Sequence, residues 1–183
     1  IQVAEKGICW MRISARGEPG HGSLPKRDSA LVKLSRAIVK LADTRLPLHV
    51  TPPAIQFLEA LAAEQYAPIA IALRGLMVPY VGDSVLDYGI RDESQRASLD
   101  AILRNTVSPT VLRAGSKVNV IPGVATVDID GRTLPGQTAE SFLAELRELV
   151  GKDARLEVLD SAPPVVTTPD TELYRVLERT VRA

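Results

Sequence analysis

At the start of the chain, the hydrophobic pattern predicts one strand followed by one helix. The strand runs from Glu5 to Arg16 and alternates, which puts Ile8 and Trp10 on one side and four apolar residues on the other: Cys9, Met11, Ile13 and Ala15. Both faces should therefore be at least partly covered. After a glycine- and proline-rich loop over residues 17–25, a helix should begin near Asp28, which can cap its first turn. Its buried stripe has three- and four-residue spacing, at Leu31, Leu34, Ile38 and Leu41.

The last third of the chain returns to strands and helices. One strand is predicted over Thr110 to Lys117. A second, Gly123 to Thr133, alternates cleanly and has three apolar residues on its inner side: Ala125, Val127 and Ile129. A helix over Ala139 to Val150 follows, then a strand over Arg155 to Leu159 and a final short helix over Pro169 to Ala183.

Residues 45–105 differ from both flanking regions and are interpreted as a helical insertion. Prolines lead into a helix over Ala54 to Gln65, a second apolar segment spans Ile69 to Val78, and a third helix ends near Arg104. Without this insertion the order is strand, helix, strand, strand, helix, strand. That order predicts an α+β fold of the ferredoxin-like kind, βαββαβ, with a four-stranded antiparallel sheet and both helices on one face. Such a sheet has two edge strands that need partners.

Composition narrows the classes of partner. The 183 residues contain 22 basic and 22 acidic residues, so no charge excess points to nucleic acid or to an anionic membrane surface. No apolar stretch approaches the roughly 18 residues of a membrane-spanning helix. The single cysteine, Cys9, is expected to be a small buried hydrophobic residue. Because the chain begins at Ile1 rather than Met, we expect a piece of a longer protein, whose compartment stays open.

The residues able to carry chemistry are few. His49 lies among prolines with no carboxylate near it in sequence, and is expected to be structural. His21, between two glycines in a loop, is the better functional candidate. A hydrolytic zinc site needs three protein ligands, and the chain has neither His-x-Asp nor HExxH. Asp128 and Asp130 share a strand face and are expected to be a solvated or strand-end pair. A Ser-His-Asp arrangement using Ser23 stays open, although Ser23 lacks the Gly-x-Ser-x-Gly context.

Four motifs in order resemble one known family. They are Trp10-Met11-Arg12-Ile13-Ser14-Ala15-Arg16-Gly17, then Gly20-His21-Gly22-Ser23-Leu24-Pro25, then Asn119-Val120-Ile121-Pro122-Gly123, and finally Asp128-Ile129-Asp130-Gly131-Arg132-Thr133-Leu134-Pro135-Gly136. Together they resemble the lid, or dimerisation, domain of M20 zinc metallopeptidases, the group of carboxypeptidases, aminoacylases and acetylornithine or succinyl-diaminopimelate deacylases. The resemblance covers roughly residues 3–163. It implies a lid domain over 1–163 and, over 164–183, the start of a return segment to a catalytic domain that this chain lacks.

The resemblance implies roles for three residues. His21 would be catalytic: it would reach into an active site, usually that of the partner subunit, and stabilise the oxyanion of the tetrahedral intermediate. Asn119 would hydrogen-bond the substrate, and Arg132 would hold a substrate carboxylate. Two zinc ions would lie in the absent catalytic domain, so this chain would hold no cofactor and would be inactive alone. The family also pairs lids into a homodimer through an edge strand and the first helix.

The sequence leaves alternatives open for the substrate and for the kind of parent protein. Residues 53–61, Pro53-Ala54-Ile55-Gln56-Phe57-Leu58-Glu59-Ala60-Leu61, look similar to the carboxypeptidase-S-like branch, which leaves both peptides and N-acyl amino acids as substrates. A different class would be a ferredoxin-like interaction or small-molecule-binding module with no enzymatic parent. A third possibility is a family member with a degenerate metal site.

Overall fold

A computed structural model describes residues 2–182 of the chain, so Ile1 and Ala183, at the ends of the predicted lid and last helix, lie outside the described residues. The strands, in chain order, are β1 (Ala4–Glu5), β2 (Gly7–Arg16), β3 (Gly20–His21), β4 (Thr106–Ala114), β5 (Val120–Ile121), β6 (Val124–Thr133), β7 (Ala154–Ala162) and β8 (Val165–Val166). The α-helices are α1 (Ala30–Asp43), α2 (Pro52–Ala63), α3 (Ala67–Gly75), α4 (Val81–Ser84), α5 (Glu93–Leu103), α6 (Ala139–Val150) and α7 (Glu172–Arg182), and Val85–Gly89 forms a π-helical turn.

The central sheet confirms the predicted ferredoxin-like fold. Its four strands lie in the order β4-β6-β2-β7, and every neighbouring pair is antiparallel. Helices α1 and α6 pack on one face, with α1 contacting β4 and α6 contacting β7. Strands β4 and β7 are the two edges. Two short ribbons, β1 with β8 and β3 with β5, lie outside this sheet.

The core lies between the sheet and the two helices. The inner face of β2 is fully buried, as the alternation predicts, at Cys9, Met11, Ile13 and Ala15. Phe142 and Leu146 of α6 and Leu34 of α1 close over it. Cys9 is fully buried, which confirms its interpretation as a small buried hydrophobic residue, and this burial raises the pKa of its thiol. The outer face of β2 is more open than predicted, since Trp10 there is 44% exposed.

Several predicted element boundaries differ from the structure, and two of the differences have a clear physical reason. In α1 the predicted buried stripe is also partly wrong, because Leu31 is 40% exposed and Ala30 and Ala37 are buried with Leu34 and Leu41. The cap of α1 is Ser29 rather than Asp28, because the Ser29 hydroxyl accepts the Val32 amide at the helix start. Strand β4 begins at Thr106, before Pro109, whereas the sequence suggested that strands return only after this proline. Proline is tolerated here because β4 is an edge strand and its register shifts between Pro109 and Val111.

The insertion, residues 45–105, is helical as predicted and has a hydrophobic core of its own. Its helices α2, α3 and α5 contribute to a cluster that includes Leu58, Leu73, Leu76, Leu86 and Leu103. Within the described residues this cluster is separate from the core under the sheet. The insertion is therefore a small domain-like unit, and its position depends on the contacts that tie it to the sheet.

Polar contacts tie the insertion to the sheet and to α6. Inside the insertion, Arg104 is 4% exposed and binds Asp83, Asp100 and the Leu46 carbonyl. The contact with the sheet comes from Lys6, just before β2, whose Nζ donates to the Ala101 and Arg104 carbonyls at 3.1 and 2.8 Å. His49 Nε2 lies 2.6 Å from Glu145 Oε1 on α6. The sequence showed no carboxylate near His49 because Glu145 is 96 residues away along the chain.

Candidate functional site

The short ribbon of β3 and β5 brings two of the predicted site residues together. His21 pairs with Val120, and Gly20 with Ile121. The Gly22 N–H donates a 2.8 Å hydrogen bond to the Asn119 carbonyl, so the loop after β3 is fastened to the residue before β5. His21 and Asn119 are both exposed. The sequence predicted both residues but showed no reason for them to be neighbours.

Gly22 explains how closely the two segments approach. A Cβ atom at this position would lie 3.3 Å from the Cα, carbonyl carbon and oxygen of Asn119. Such contacts with backbone atoms require the ribbon to open slightly. Because Gly22 has no side chain, the loop after His21 can lie close to the backbone of Asn119.

The His21 ring is oriented by Ser23. The Ser23 backbone N–H donates to His21 Nδ1 at 3.3 Å, and the Ser23 hydroxyl lies 2.8 Å from the same nitrogen. Because a backbone N–H only donates, Nδ1 is an acceptor, and the neutral ring carries its proton on Nε2. The ring thus presents an N–H donor on its far side. The Ser23 hydroxyl therefore orients the His21 ring, and it does not make the contact expected of a nucleophile.

Arg132, the third predicted residue, lies on the open face of β6. Its Nε and Nη2 donate to the two carboxylate oxygens of Asp130 at 2.8 and 3.0 Å. Hydrogen bonding to Asp130 raises the pKa of Arg132, which keeps the guanidinium charged. Burial and, next, the nearby charge of Arg132 lower the pKa of Lys6 to about 8, so two cations lie close together here. The spacing of Asp130 and Arg132, two apart on one strand face, was a signal for this pair that sequence analysis did not use.

Arg132 is at the opposite end of the sheet from His21. The β3–β5 ribbon adjoins the start of β6, where the Gly17 N–H donates to the Gly123 carbonyl. Arg132 lies eight residues further along, near the other end of the strand. At about 3.3 Å per residue, roughly 26 Å separate the two ends. Within one chain, His21 and Asn119 come together, and Arg132 does not join them.

The end of the sheet that holds Arg132 is also where the terminal segments meet. Arg132 pairs with Ile8 at the start of β2 and with Thr106 at the start of β4. Strands β1 and β8 run side by side, so the segments entering and leaving the sheet lie next to each other. Gly7, which pairs with Thr133, has the Pro164 nitrogen close by.

Asp128 is not the solvated or strand-end carboxylate predicted from sequence. It pairs across the sheet with Arg12, whose Nε and Nη2 donate to its two oxygens, and it also accepts from Arg113 on β4 at 2.6 Å. These hydrogen bonds, that of Arg12 first, lower the pKa of Asp128 to about 2. The three side chains link β2, β6 and β4 on the open face. The carboxylates of Asp128 and Asp130 are thus both engaged by arginines.

Within residues 2–182, no group of three or more His, Cys, Asp or Glu side chains is arranged to hold a metal ion. The described helices include none that is long and apolar enough to cross a bilayer.

Comparison with protein families gives one match. The model described as a peptidase dimerisation domain, of the M20 type, matches residues 3–157. This range contains His21, Asn119 and Arg132 and also the whole insertion.

Relatives of known name match over the full chain. The mouse N-fatty-acyl-amino acid synthase/hydrolase PM20D1 is 32% identical, and the alignment covers 100% of this chain and 36% of that protein. The probable carboxypeptidase S-like 2 of Dictyostelium discoideum is 24% identical over 99% of this chain and 34% of that protein. The chain therefore spans about a third of the length of these curated relatives.

Solved structures share the fold. The M20 family metallo-carboxypeptidase Sso-CP2 of Sulfolobus solfataricus aligns with a TM-score of 0.59 and 13% identity, covering 98% of this chain and 43% of that one. Human carnosine dipeptidase 1 aligns with a TM-score of 0.57 and 14% identity, covering 100% of this chain and 42% of that one.

Proposed function

The chain belongs to the M20 peptidase dimerisation-domain family, and on that premise we propose that it is the lid of a zinc-dependent amidohydrolase or peptidase. The parent enzyme hydrolyses an amide next to a free carboxylate, in a peptide or an N-acyl amino acid. The lid supplies substrate-contacting groups, and residues 164–183 begin the return to the catalytic domain. The observation that carries this proposal is the placement of a donor histidine and a charged arginine at opposite ends of one sheet.

Two chains complete one active site in this proposal. Roughly 26 Å separates the His21 end of β6 from Arg132, which is too far for one small substrate to bridge. A two-fold dimer removes the difficulty, because the His21 end of one lid can approach the Arg132 end of its partner. His21 and Asn119 then act on the substrate of the partner subunit. Arg132 acts on the substrate of its own chain, beside the joined segments β1 and β8.

His21 stabilises the oxyanion. Its Nε2–H donor, set by the Ser23 contacts at Nδ1, is available to the oxygen of the scissile carbonyl as negative charge develops there. Asn119, fastened beside it, offers an amide to hydrogen-bond the substrate. Neither side chain needs to move a proton for this role.

Arg132 holds the substrate carboxylate. A guanidinium has five N–H donors, and Asp130 accepts from two of them, which leaves three for a ligand. Asp130 fixes the plane of the guanidinium, which favours a bidentate contact with a second carboxylate.

The homodimer forms through β4 and α1. β4 is an edge strand whose Val111 and Leu112 are 41% and 59% exposed. Helix α1 packs against β4, and its Leu31 and Val39 are 40% and 56% exposed. Apolar side chains beside an unpaired strand edge are suited to pairing with a second copy.

Zinc belongs to the rest of the parent enzyme. The described residues of this chain do not fit a zinc site, because no three ligating side chains converge among them. We place the two zinc ions in the catalytic domain, which the relatives' greater length accommodates. The names of the relatives, N-fatty-acyl-amino acid synthase/hydrolase among them, favour N-acyl amino acids over longer peptides as substrates.

The test uses the full-length parent enzyme and N-acyl amino acid substrates. His21→Ala should lower kcat by about 100-fold or more, as loss of an oxyanion donor does, while zinc content stays unchanged. His49→Ala is the matched control, because His49 contacts Glu145 in the body of the lid. Unchanged turnover in His21→Ala, or an equal loss in both variants, would contradict the proposed role.

A further inference from the structure

Lys6 is a half-buried cation near Arg132, and the function proposed above does not use it. It lies between β1 and β2, where the chain enters the sheet. Its Nζ donates to the Ala101 and Arg104 carbonyls at 3.1 and 2.8 Å and to the Thr106 hydroxyl at 3.0 Å. An ammonium group has three N–H donors, so each donor of Lys6 has an acceptor in the protein.

Two of these acceptors belong to the end of α5, the last helix of the insertion. Ala101 is in the final turn of α5, and Arg104 follows the last helical residue. The carbonyls of a final turn have no partner within the helix, and a cation beside them is favoured by the helix dipole. Lys6 therefore fastens the C-terminal end of the insertion to the segment that enters β2.

The third acceptor places the Lys6 side chain beside Arg132. Thr106, Arg132 and Ile8 form one cross-strand row over β4, β6 and β2. Lys6 is two residues before Ile8, at one end of this row, and its Nζ contacts Thr106 at the other end. The Lys6 side chain thus crosses the end of β6, the strand that carries Arg132.

The charges around Lys6 affect how readily it holds its proton. Burial and then the charge of Arg132 lower the pKa of Lys6 to about 8, and the charge of Asp100 on α5 opposes them. Asp130 is hydrogen-bonded to Arg132, and the charge of Glu5 also acts on Arg132. A further negative charge bound at Arg132 would therefore favour the protonated form of Lys6.

We propose that Lys6 is a positioning residue for the Arg132 site: its ammonium holds the insertion beside Arg132 and strengthens the binding of the substrate carboxylate. The inference rests on the proposed role of Arg132. Lys6 does not itself touch the substrate, because its three donors are engaged. Loss of its proton removes a positive charge beside the carboxylate and leaves two N–H donors for three oxygens.

This role gives substrate binding a defined dependence on pH. A carboxylate on Arg132 favours the protonated state of Lys6, and by linkage the protonated state favours the bound carboxylate. Because the pKa of Lys6 is about 8, the affinity for substrate should be full below this pH and should fall as pH rises above it.

The test measures kcat and KM of the full-length parent for N-lauroyl-leucine between about pH 6.5 and pH 9.5. Lys6→Met removes the charge and keeps an apolar stem, whereas Lys6→Arg keeps a charge that does not titrate in this range. Lys152→Met is the matched control, because Lys152 is exposed just before β7, at the end of the sheet opposite to Arg132. Circular dichroism checks that each variant is folded.

We expect the wild-type KM to rise about tenfold between about pH 7 and pH 9.5, while kcat changes less. Lys6→Met should show the raised KM already at pH 7. Lys6→Arg should keep the low KM over the whole range, and Lys152→Met should follow the wild type.

Several results would overturn the inference while the proposed function stands. They are a wild-type KM that does not rise with pH, a rise that persists in Lys6→Arg, and a Lys6→Met variant that loses kcat with KM unaltered, as a purely structural role would predict. If Lys6→Met does not fold, the comparison of Lys6→Arg with the wild type decides alone. A parent that hydrolyses no N-acyl amino acid or peptide would overturn both the proposed function and the inference.

Discussion

Ser23 acts on His21 through a single ring nitrogen. Both the Ser23 backbone N–H and its hydroxyl contact Nδ1, so the side-chain hydroxyl adds orientation to a tautomer that the backbone already favours. In the proposed mechanism the opposite nitrogen donates to the oxyanion. The orientation of the ring should therefore matter more in the transition state than in the bound substrate.

Replacing Ser23 tests this contact. In the parent enzyme, Ser23→Ala should lower kcat about five- to tenfold with KM nearly unchanged, because the lost hydrogen bond orients a group that works in the transition state. Ser23→Thr keeps the hydroxyl and should restore most of the rate. Steady-state kinetics with both variants separates the two constants, and a raised KM with an unaltered kcat would contradict the assignment.

Asp128 predicts how stability depends on pH. Its pKa is lowered from 3.8 to about 2 by Arg12 and Arg113, so the folded state binds a proton less readily than the unfolded state. For a carboxyl with a lowered pKa, the stabilisation is complete above the unfolded value and is lost as pH falls through the folded value. The contribution should be full above about pH 5 and fade between about pH 4 and pH 2.

Asp128→Asn should lower the free energy of unfolding by about 1–2 kcal/mol at pH 7, the size of two cross-strand charged contacts on a partly open face. The deficit should shrink toward zero near pH 2. Urea unfolding of the chain at both pH values measures it, with exposed Asp153→Asn as the control. A deficit that stays constant over this range would show that the arginine contacts are not its source.

At the residue scale, sequence motifs pointed to candidate site residues, whose roles stay predictions, but not to the partners that these side chains have in the fold. Alternation along β2 correctly marked the buried face, since each side of a strand is read directly from parity. The partners of Asp128 depend on register, and Arg12 and Arg113 are 116 and 15 residues away from it along the chain. Periodicity within a single segment holds no information on such pairs.

At the scale of elements, Asn105 joins the insertion to the sheet. It is 2% exposed, lies between α5 and β4, and accepts the Leu134 amide at 2.9 Å. Its side-chain amide also donates to both oxygens of Glu145, at 3.3 and 3.2 Å, the carboxylate that contacts His49. This side chain, at the end of the insertion, therefore contacts both α6 and the turn after β6, and Glu145 extends the network to His49 near the start of the insertion.

Asn105→Ala should lower the free energy of unfolding by about 1–3 kcal/mol, because it leaves the buried Leu134 N–H without its acceptor. Asn105→Asp keeps an acceptor for Leu134 but places a second carboxylate beside Glu145, so it should be destabilised less at low pH than at neutral pH. Urea unfolding of the two variants and the unaltered chain checks this. A stability equal to that of the unaltered chain in Asn105→Ala would mean that the network does not hold the insertion.

Long periodic elements were predictable, and short or irregular ones were not. The insertion, α6 and β6 have enough apolar repeats to stand out. The two-residue strands β3 and β5 have no periodicity, and only their pairing with each other defines them. Pro109 concealed the start of β4, because a bulge on an edge strand tolerates a residue that the interior of a sheet excludes.

At the scale of the whole molecule, the sheet separates the residues to which we assign two functions. His21 and Asn119 lie at one end, and the Arg132–Asp130 pair lies at the other, beside the segments that enter and leave the fold. We propose that the first pair faces a partner lid and that Arg132 holds the substrate carboxylate. The family resemblance supplied the residue roles, but the separation comes from the length and register of β6. The resemblance therefore implied that two chains share one site, and the length of β6 supplies the physical reason for sharing in our proposal.

The most direct test mixes two inactive forms of the full-length parent, His21→Ala and Arg132→Ala. If His21 and Arg132 of different chains meet at one substrate, each mixed dimer contains one site with both residues intact. After subunit exchange of equal amounts, half of the dimers are mixed, so about a quarter of the wild-type activity should return. Each variant alone should stay inactive. No recovery in a mixture shown to exchange subunits would contradict the account, because it would mean that both residues act within one chain.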